Sequence, residues 1–199
     1  MLLSCAGMIY SPAKITSKPR MVNLYPGDKA IYKSGDIVVR QGKGWISEIF
    51  KKFSTTEHKY SHAGVLMLES GKPYVYHCIG TNNGSKGGMK KEPLSEFCNS
   101  QYVTSFAIYQ TPFFETSSCA LQKYFKSLSQ KNIQFDDEFD LSTDHQLYCS
   151  EMIYKMLQEV YGYSLEVSTF KGQKYVAIDN LYLKTRFTKI TEIKYISSQ

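Results

Sequence analysis

A cysteine opens one helix-forming run, Tyr148-Cys149-Ser150-Glu151-Met152, and a histidine opens a strand-forming run, Ser61-His62-Ala63-Gly64. Those two residue types make a nucleophile and its general base, because the thiolate is the attacking species and an imidazole can take the thiol proton near neutrality. A thiol in the first turn of a helix sits in the positive end of the macrodipole, which favours the thiolate. An imidazole at the start of a strand is held on a rigid element. The competing reading is structural. Cys149 shares a stripe with Met152, Ile153, Met156, Leu157 and Val160, and a free cysteine on a core face is usually a small hydrophobe. Its place in the first turn, Glu151 in the same turn and the polar loop before it favour the reactive reading.

Of the four histidines, His58 lies in the polar run Thr55-Thr56-Glu57-His58-Lys59, which reads as solvated, and His145 lies in a loop just before Cys149. His62 and His77 fall on two strands joined by the tight turn Glu69-Ser70-Gly71-Lys72. Counted from that turn they are offset by one residue, within what a bulge allows, so they can be neighbours on one face. Two adjacent imidazoles fit a base and the group that orients it. A pair of partly exposed strand histidines is the alternative.

The elements that must position these groups can be read from periodicity. Gly35-Asp36-Ile37-Val38-Val39-Arg40 predicts a turn and a β-branched strand. Trp45, Ile46, Ile49, Phe50 and Phe53 recur at helical spacing over residues 44–53. Strands are expected over 62–68, 74–79 and 102–109, a helical turn over 93–97, and helices over 117–129 and 149–161. Residues 80–91 are rich in Gly, Asn and Lys and predict a mobile loop next to the site. Its lysines, Lys86, Lys90 and Lys91, would favour an anionic group in the cleft. Residues 132–147 read as an acidic and aromatic loop, and the tail from Tyr175 supplies one or two further strands. The pattern is α+β, an antiparallel sheet packed against helices.

The length of 199 residues suits one domain, with residues 1–33 as a leader and 34–199 as the folded unit. The net charge of +6 is spread out, and no nucleic-acid motif accompanies it, so no nucleic-acid partner is expected. No Cys-x-x-Cys pair occurs among Cys5, Cys78, Cys98, Cys119 and Cys149, so neither a metal site nor another cofactor is expected. Met1-Leu2-Leu3-Ser4-Cys5-Ala6-Gly7 looks like the end of a bacterial lipoprotein signal whose basic start and most of whose apolar stretch are missing. Acylation of Cys5 would then attach the chain to a membrane. Chance likeness is the alternative.

Gly35-Asp36-Ile37-Val38, Ser61-His62-Ala63-Gly64-Val65, Val75-Tyr76-His77 and Tyr148-Cys149-Ser150-Glu151 occur in that order, and the set resembles the permuted papain-like hydrolases related to NlpC, nearest the YiiX-like branch. The resemblance spans about residues 34–190. It implies a circularly permuted papain-like fold, with the histidine ahead of the cysteine in sequence. It also implies Cys149 as nucleophile, His62 as base and His77 at the third position, where YiiX-like relatives commonly carry glutamate. Many relatives have a Tyr-Asp pair about a dozen residues before the cysteine. Here Phe135-Asp136 stands there, which leaves the Cys149 backbone N–H as the safer oxyanion donor.

The reading that follows is a cysteine peptidase or amidase that cleaves a cell-envelope peptide or peptidoglycan-type amide through a thioester, in the envelope or periplasm. A cytoplasmic location is the alternative. A lipid acyl hydrolase, acyltransferase or thioesterase is the rival enzyme reading, and a degenerate binding module is the rival from another class. A long apolar groove beside Cys149 would favour lipid over peptide.

Overall fold

The β-branched run Ile37-Val38-Val39 has no exposed surface on any residue, which marks a strand covered on both faces. It belongs to β2 (Ile37–Gly42), at the centre of a seven-stranded sheet. The computed structural model of the chain describes residues 21–23, 32–80, 87–113 and 118–196. The other strands of this sheet are β1 (Met21–Asn23), β3 (His62–Glu69), β4 (Lys72–Ile79), β5 (Gly88–Pro93), β6 (Val103–Gln110) and β9 (Thr188–Tyr195). Their order is β1-β9-β6-β2-β3-β4-β5, and every neighbouring pair is antiparallel. A separate hairpin pairs β7 (Ser168–Phe170) with β8 (Gln173–Tyr175).

Alternation along the strands divides the core in two. Ile37, Val39, Val65 and Met67 face a large cluster completed by α3 (Ser118–Gln130) and α4 (Cys149–Tyr161). Val38, Leu66, Val75 and Ile108 face a smaller cluster under α2 (Leu94–Phe97). The apolar stripe of α4 lies against the first face, with Met152, Ile153, Met156 and Leu157 fully buried. Gly162, at φ 62°, ends that helix in the left-handed conformation that glycine adopts without strain. The remaining helices are α1 (Trp45–Lys51) and α5 (Asn180–Leu183).

The Gly-Asp motif before β2 is structural. Gly35 has φ 93°, and a Cβ there would lie 2.5 Å from the Tyr161 hydroxyl. The buried Asp36 carboxylate accepts the backbone N–H groups of Lys33 and Thr111, which ties the start of β2 to the end of β6. Burial raises its pKa to about 6 against those bonds. Asp179 does similar work, accepting the N–H groups of Thr55, Thr56 and Glu57 at 2.6–3.1 Å. It thereby fixes the connection between α1 and the strand that begins at His62.

The α+β expectation and the permuted order agree with this architecture. The helix expected over 149–161 has those bounds. Two expectations need correction. Residues 88–91 do not belong to a mobile loop, because Gly88–Pro93 is strand β5 at the edge of the sheet. Glycines and charged residues in that run hide the strand from a propensity reading, and the ladder to β4 supplies what propensity lacks. In addition, Met21–Asn23 pairs with β9 and Tyr32 is buried, so residues ahead of 34 join the fold. Cys5 and the rest of the signal-like segment lie outside the described residues, as do residues 81–86.

Candidate active site

Cys149 is the first residue of α4, at the edge of the large core cluster. Glu151 caps the helix start by accepting the Tyr148 N–H at 3.2 Å. The Ser150 hydroxyl donates to the Val176 carbonyl at 2.7 Å, and the Tyr148 hydroxyl accepts the Val176 N–H at 2.8 Å. These bonds fix the helix start against the 176–178 segment. Cys149 is 8% exposed, and that small opening faces a cleft.

Burial pushes the Cys149 thiol up, and it is opposed by the N–H groups of Ala63, Ser150 and Cys149 itself. Ala63, whose N–H acts on the thiol, is the residue that follows His62. The preformed thiolate expected from the helix dipole therefore does not hold, because desolvation outweighs the dipole.

His62 stands at the start of β3, directly opposite Arg40 of β2. Its Nε2 lies 2.8 Å from Nδ1 of His77, on the neighbouring strand β4. Gly64 makes this approach possible. A Cβ there would lie 2.4 Å from Val75 Cγ1 and 3.2 Å from His77 Cβ. Burial pushes the pKa of His62 well below its ordinary value, and the charge of Arg40 adds to the effect. Burial likewise lowers His77, opposed by Glu92. With the thiol raised and the imidazole lowered, the resting pair is neutral.

Behind His77 stands a residue that the sequence did not disclose. Glu92 of β5 places Oε1 3.2 Å from His77 Nε2, off the line of the ring N–H. Burial alone would raise the Glu92 pKa, but His77, Lys90 and Arg40 overcome it and hold the carboxylate at about 2. Lys90 Nζ lies 2.7 Å from the other carboxylate oxygen, and Arg40 Nη1 lies 3.5 Å from the first. Arg40 also donates to the Phe97 carbonyl at 2.7 Å and lies over the Phe97 ring at 4.1 Å. His77 pairs directly with Lys90 in the ladder, so Glu92 is its diagonal neighbour on the same face. Only the β4–β5 pairing reveals this, and the signal that could have found it was period-two spacing of Lys90 and Glu92 opposite His77.

The tautomers follow from this chain. The charge of the carboxylate 3.2 Å away favours the His77 proton on Nε2, which leaves Nδ1 as an acceptor. His62 Nε2–H then donates to it, and His62 Nδ1 keeps a free lone pair.

The cleft has a volume of about 580 Å³. Besides Cys149 and His62 it is lined by Ile46, Phe50, Phe53, Phe135 and Phe139 among others. The rings of Phe50, Phe53 and Phe139 form a triangle with centroids 5.3–6.1 Å apart, and Phe139 lies 4.9 Å from Tyr148. Phe139 has φ 55°, a left-handed conformation rare for an aromatic residue. It is held by the buried Asp136, which accepts the N–H groups of Glu138 and Asp140. Asp136 is thus a loop organiser, and Phe135 brings a ring where many relatives bring a hydroxyl. Gly80 borders the cleft, but two of the three lysines expected to charge it are occupied elsewhere. Lys90 is paired with Glu92, and Lys91 is paired with Glu69 and lies over the Tyr74 ring. Lys86 lies outside the described residues.

Residues 31–197 match the family described as permuted papain-like amidase enzyme, YaeF/YiiX, C92 family. The chain belongs to this family. A solved structure, the metalloprotein YiiX from Escherichia coli O157:H7, superposes with a TM-score of 0.66 at 19% sequence identity. The match covers 79% of this chain and 96% of that one, and it supports the fold. A comparison with curated proteins gave no match. Membership makes the protein a cysteine hydrolase of the amidase type. Among the described residues no three His, Cys, Asp or Glu groups are placed to hold a metal ion, so no step is assigned to one. His58 and His145 lie apart from the cleft lining, while Cys149 and His62 both belong to it and His77 stands behind His62.

Proposed function

We propose that the protein hydrolyses an amide through a thioester on Cys149, with His62 as general base and His77 as the group that orients it. As the sulfur attacks the carbonyl carbon, its proton passes to His62 Nδ1. The Cys149 backbone N–H donates to the developing oxyanion. His62 then gives the proton to the departing amine as the C–N bond breaks. Water attacks the thioester as His62 accepts its proton, the C–S bond breaks, His62 returns that proton to the sulfur, and the carboxylic acid product is released. Because the resting pair is neutral, attack and proton transfer are coupled. The developing imidazolium is stabilised through His77 by the ionised Glu92.

The observation that carries this reading is the 2.8 Å bond from His62 to His77, backed by Glu92, beside a cysteine at a helix start. The decisive experiment incubates the protein with peptidoglycan-type peptides and N-acyl amides and traps the acyl-enzyme for mass mapping. A thioester on Cys149 that is lost in Cys149→Ala supports the proposal. Turnover that survives Cys149→Ala refutes it.

For the substrate we favour a cell-envelope amide, with the chain itself at the envelope and Cys5 as the point of lipid attachment. The aromatic lining of the cleft favours a second reading, in which the acyl group is a lipid chain and the enzyme is an acyl hydrolase, acyltransferase or thioesterase. Comparing release from a fatty N-acyl amide and from a peptide amide separates the two.

A further inference from the structure

Helix α1 has no buried residue, although Trp45, Ile46, Ile49 and Phe50 make up more than half of it. Trp45 is 72% exposed, Ile46 50% and Ile49 45%, and Phe53 just beyond the helix is 43% exposed. An apolar helix normally buries such a face against the core. Here the helix stands at the rim of the cleft, touching it through Ile46 and Phe50. Its only acid, Glu48, is engaged by Gln41 at 2.8 Å and Lys51 at 2.6 Å. Lys43 and Lys52 flank it, both exposed, with Lys43 Nζ donating to the Ser100 carbonyl at 2.8 Å in a solvent-accessible bond. Asp137, in the 135–140 loop, also lines the cleft.

We propose that α1 is a membrane-docking element that inserts its apolar side chains into the surface of an anionic lipid bilayer, with Lys43 and Lys52 at the headgroups. A protein partner needs a socket shaped to the ridge and polar groups to set register, whereas a bilayer accepts a protruding apolar ridge without complementarity. A tryptophan at the helix start flanked by lysines is the composition suited to the boundary between acyl chains and headgroups. Basic flanks favour anionic over neutral lipid. Docked in this way, the cleft mouth would open toward the lipid and admit amides from it. That consequence rests on the hydrolase reading. The docking itself does not.

Trp45 is the only tryptophan in the chain, so its fluorescence reports on this helix alone. The test uses the full chain with Cys5→Ser, so that no acyl group on that residue contributes. Vesicles of phosphatidylcholine, with and without phosphatidylglycerol, are added at low salt, and emission and co-flotation are measured. Docking predicts a blue shift and flotation with the anionic vesicles. Ile49→Ser should weaken partitioning roughly tenfold with no loss of thermal stability. Lys43→Ser with Lys52→Ser should weaken binding to anionic vesicles only, and high salt should remove the difference. Cys149→Ser should dock like the parent, which separates docking from chemistry. Absence of shift and flotation at low salt overturns the proposal. So does flotation indifferent to Ile49→Ser, or a dimer abolished by Ile49→Ser in a chain that ignores vesicles.

Discussion

On one side of Cys149 lie polar groups joined end to end, from His62 through His77 to Glu92, with Arg40 and Lys90 around the carboxylate. On the other lie the rings of Phe50, Phe53 and Phe139, and beyond them a helix open to solvent. The polar wall is built on strands whose ladder bonds fix the backbone that carries each side chain. The aromatic wall is built on a short helix and a loop. Rigidity is needed where a proton must move along a defined line, because transfer depends steeply on geometry. An apolar surface imposes no such line, and a loosely attached wall can admit a large group. If that division is right, damage to the polar wall should appear in kcat and damage to the aromatic wall in KM.

The largest effects should come from the polar wall. Cys149→Ala should abolish turnover, and His62→Ala should lower kcat by about a thousandfold or more. Full activity in His62→Ala, measured by steady-state hydrolysis, would break the scheme. His77→Ala should leave a residue of activity, since His62 keeps its place on β3 but loses the group that fixes its ring. Equal and complete loss in both would show that the two histidines do not divide the work as described.

Glu92→Gln should lower kcat by roughly tenfold to a hundredfold at nearly constant KM. Glutamine keeps the size and polarity of the side chain beside His77 but carries no charge for the developing imidazolium. A purely structural role would instead appear as a lower melting temperature with the kcat of the remaining folded enzyme unchanged.

The pH profile sharpens the same point. The folded-state pKa of His62 is lowered, so the ring stays neutral and able to accept a proton below 6.5. The acid limb of kcat/KM should therefore fall well below 6.5. The sign for stability is the same. An unfolded chain binds the histidine proton more readily, so stability is present above the unfolded value and declines as pH falls through and below it. An acid limb above 6.5 would contradict a desolvated, neutral His62.

The smallest effects should come from the aromatic wall. Phe139→Gly removes a ring from the cleft but relieves a left-handed backbone, so KM should rise several-fold while the melting temperature changes little. A fall in kcat with KM unchanged would mean that Phe139 supports the chemistry, and the contrast between the walls would fail. Thiol labelling tests access rather than rate. Iodoacetamide should reach Cys149 before Cys78 or Cys98, both fully buried and pushed up by burial.

Much of this was legible from residues alone. The α4 stripe and Tyr148-Cys149-Ser150-Glu151 placed the thiol at a helix start, and the turn at Ser70-Gly71 placed His62 and His77 on adjacent strands. What stayed hidden was β5. Its residues Gly88-Met89-Lys90-Lys91-Glu92-Pro93 have low strand propensity, so Glu92 looked like part of a surface loop. Arg40 was visible only as the end of a β-branched strand. Both gain their role from cross-strand neighbours, and a single strand carries no record of its partners.

Local patterning thus determined the α+β class, the histidine-before-cysteine order, the place of Cys149 at a helix start and the placing of His62 and His77 on adjacent strands. Hydrophobic period and turn chemistry act over a few residues, and a sequence displays them directly. The tertiary structure alone decided that Glu92 backs His77, that Lys90 and Lys91 of the expected loop are occupied in ion pairs, and that α1 turns its apolar side chains to solvent. It also decided that burial outweighs the helix dipole at Cys149. Register, desolvation and exposure are properties of what packs against a residue, and that is set by segments far away in the chain.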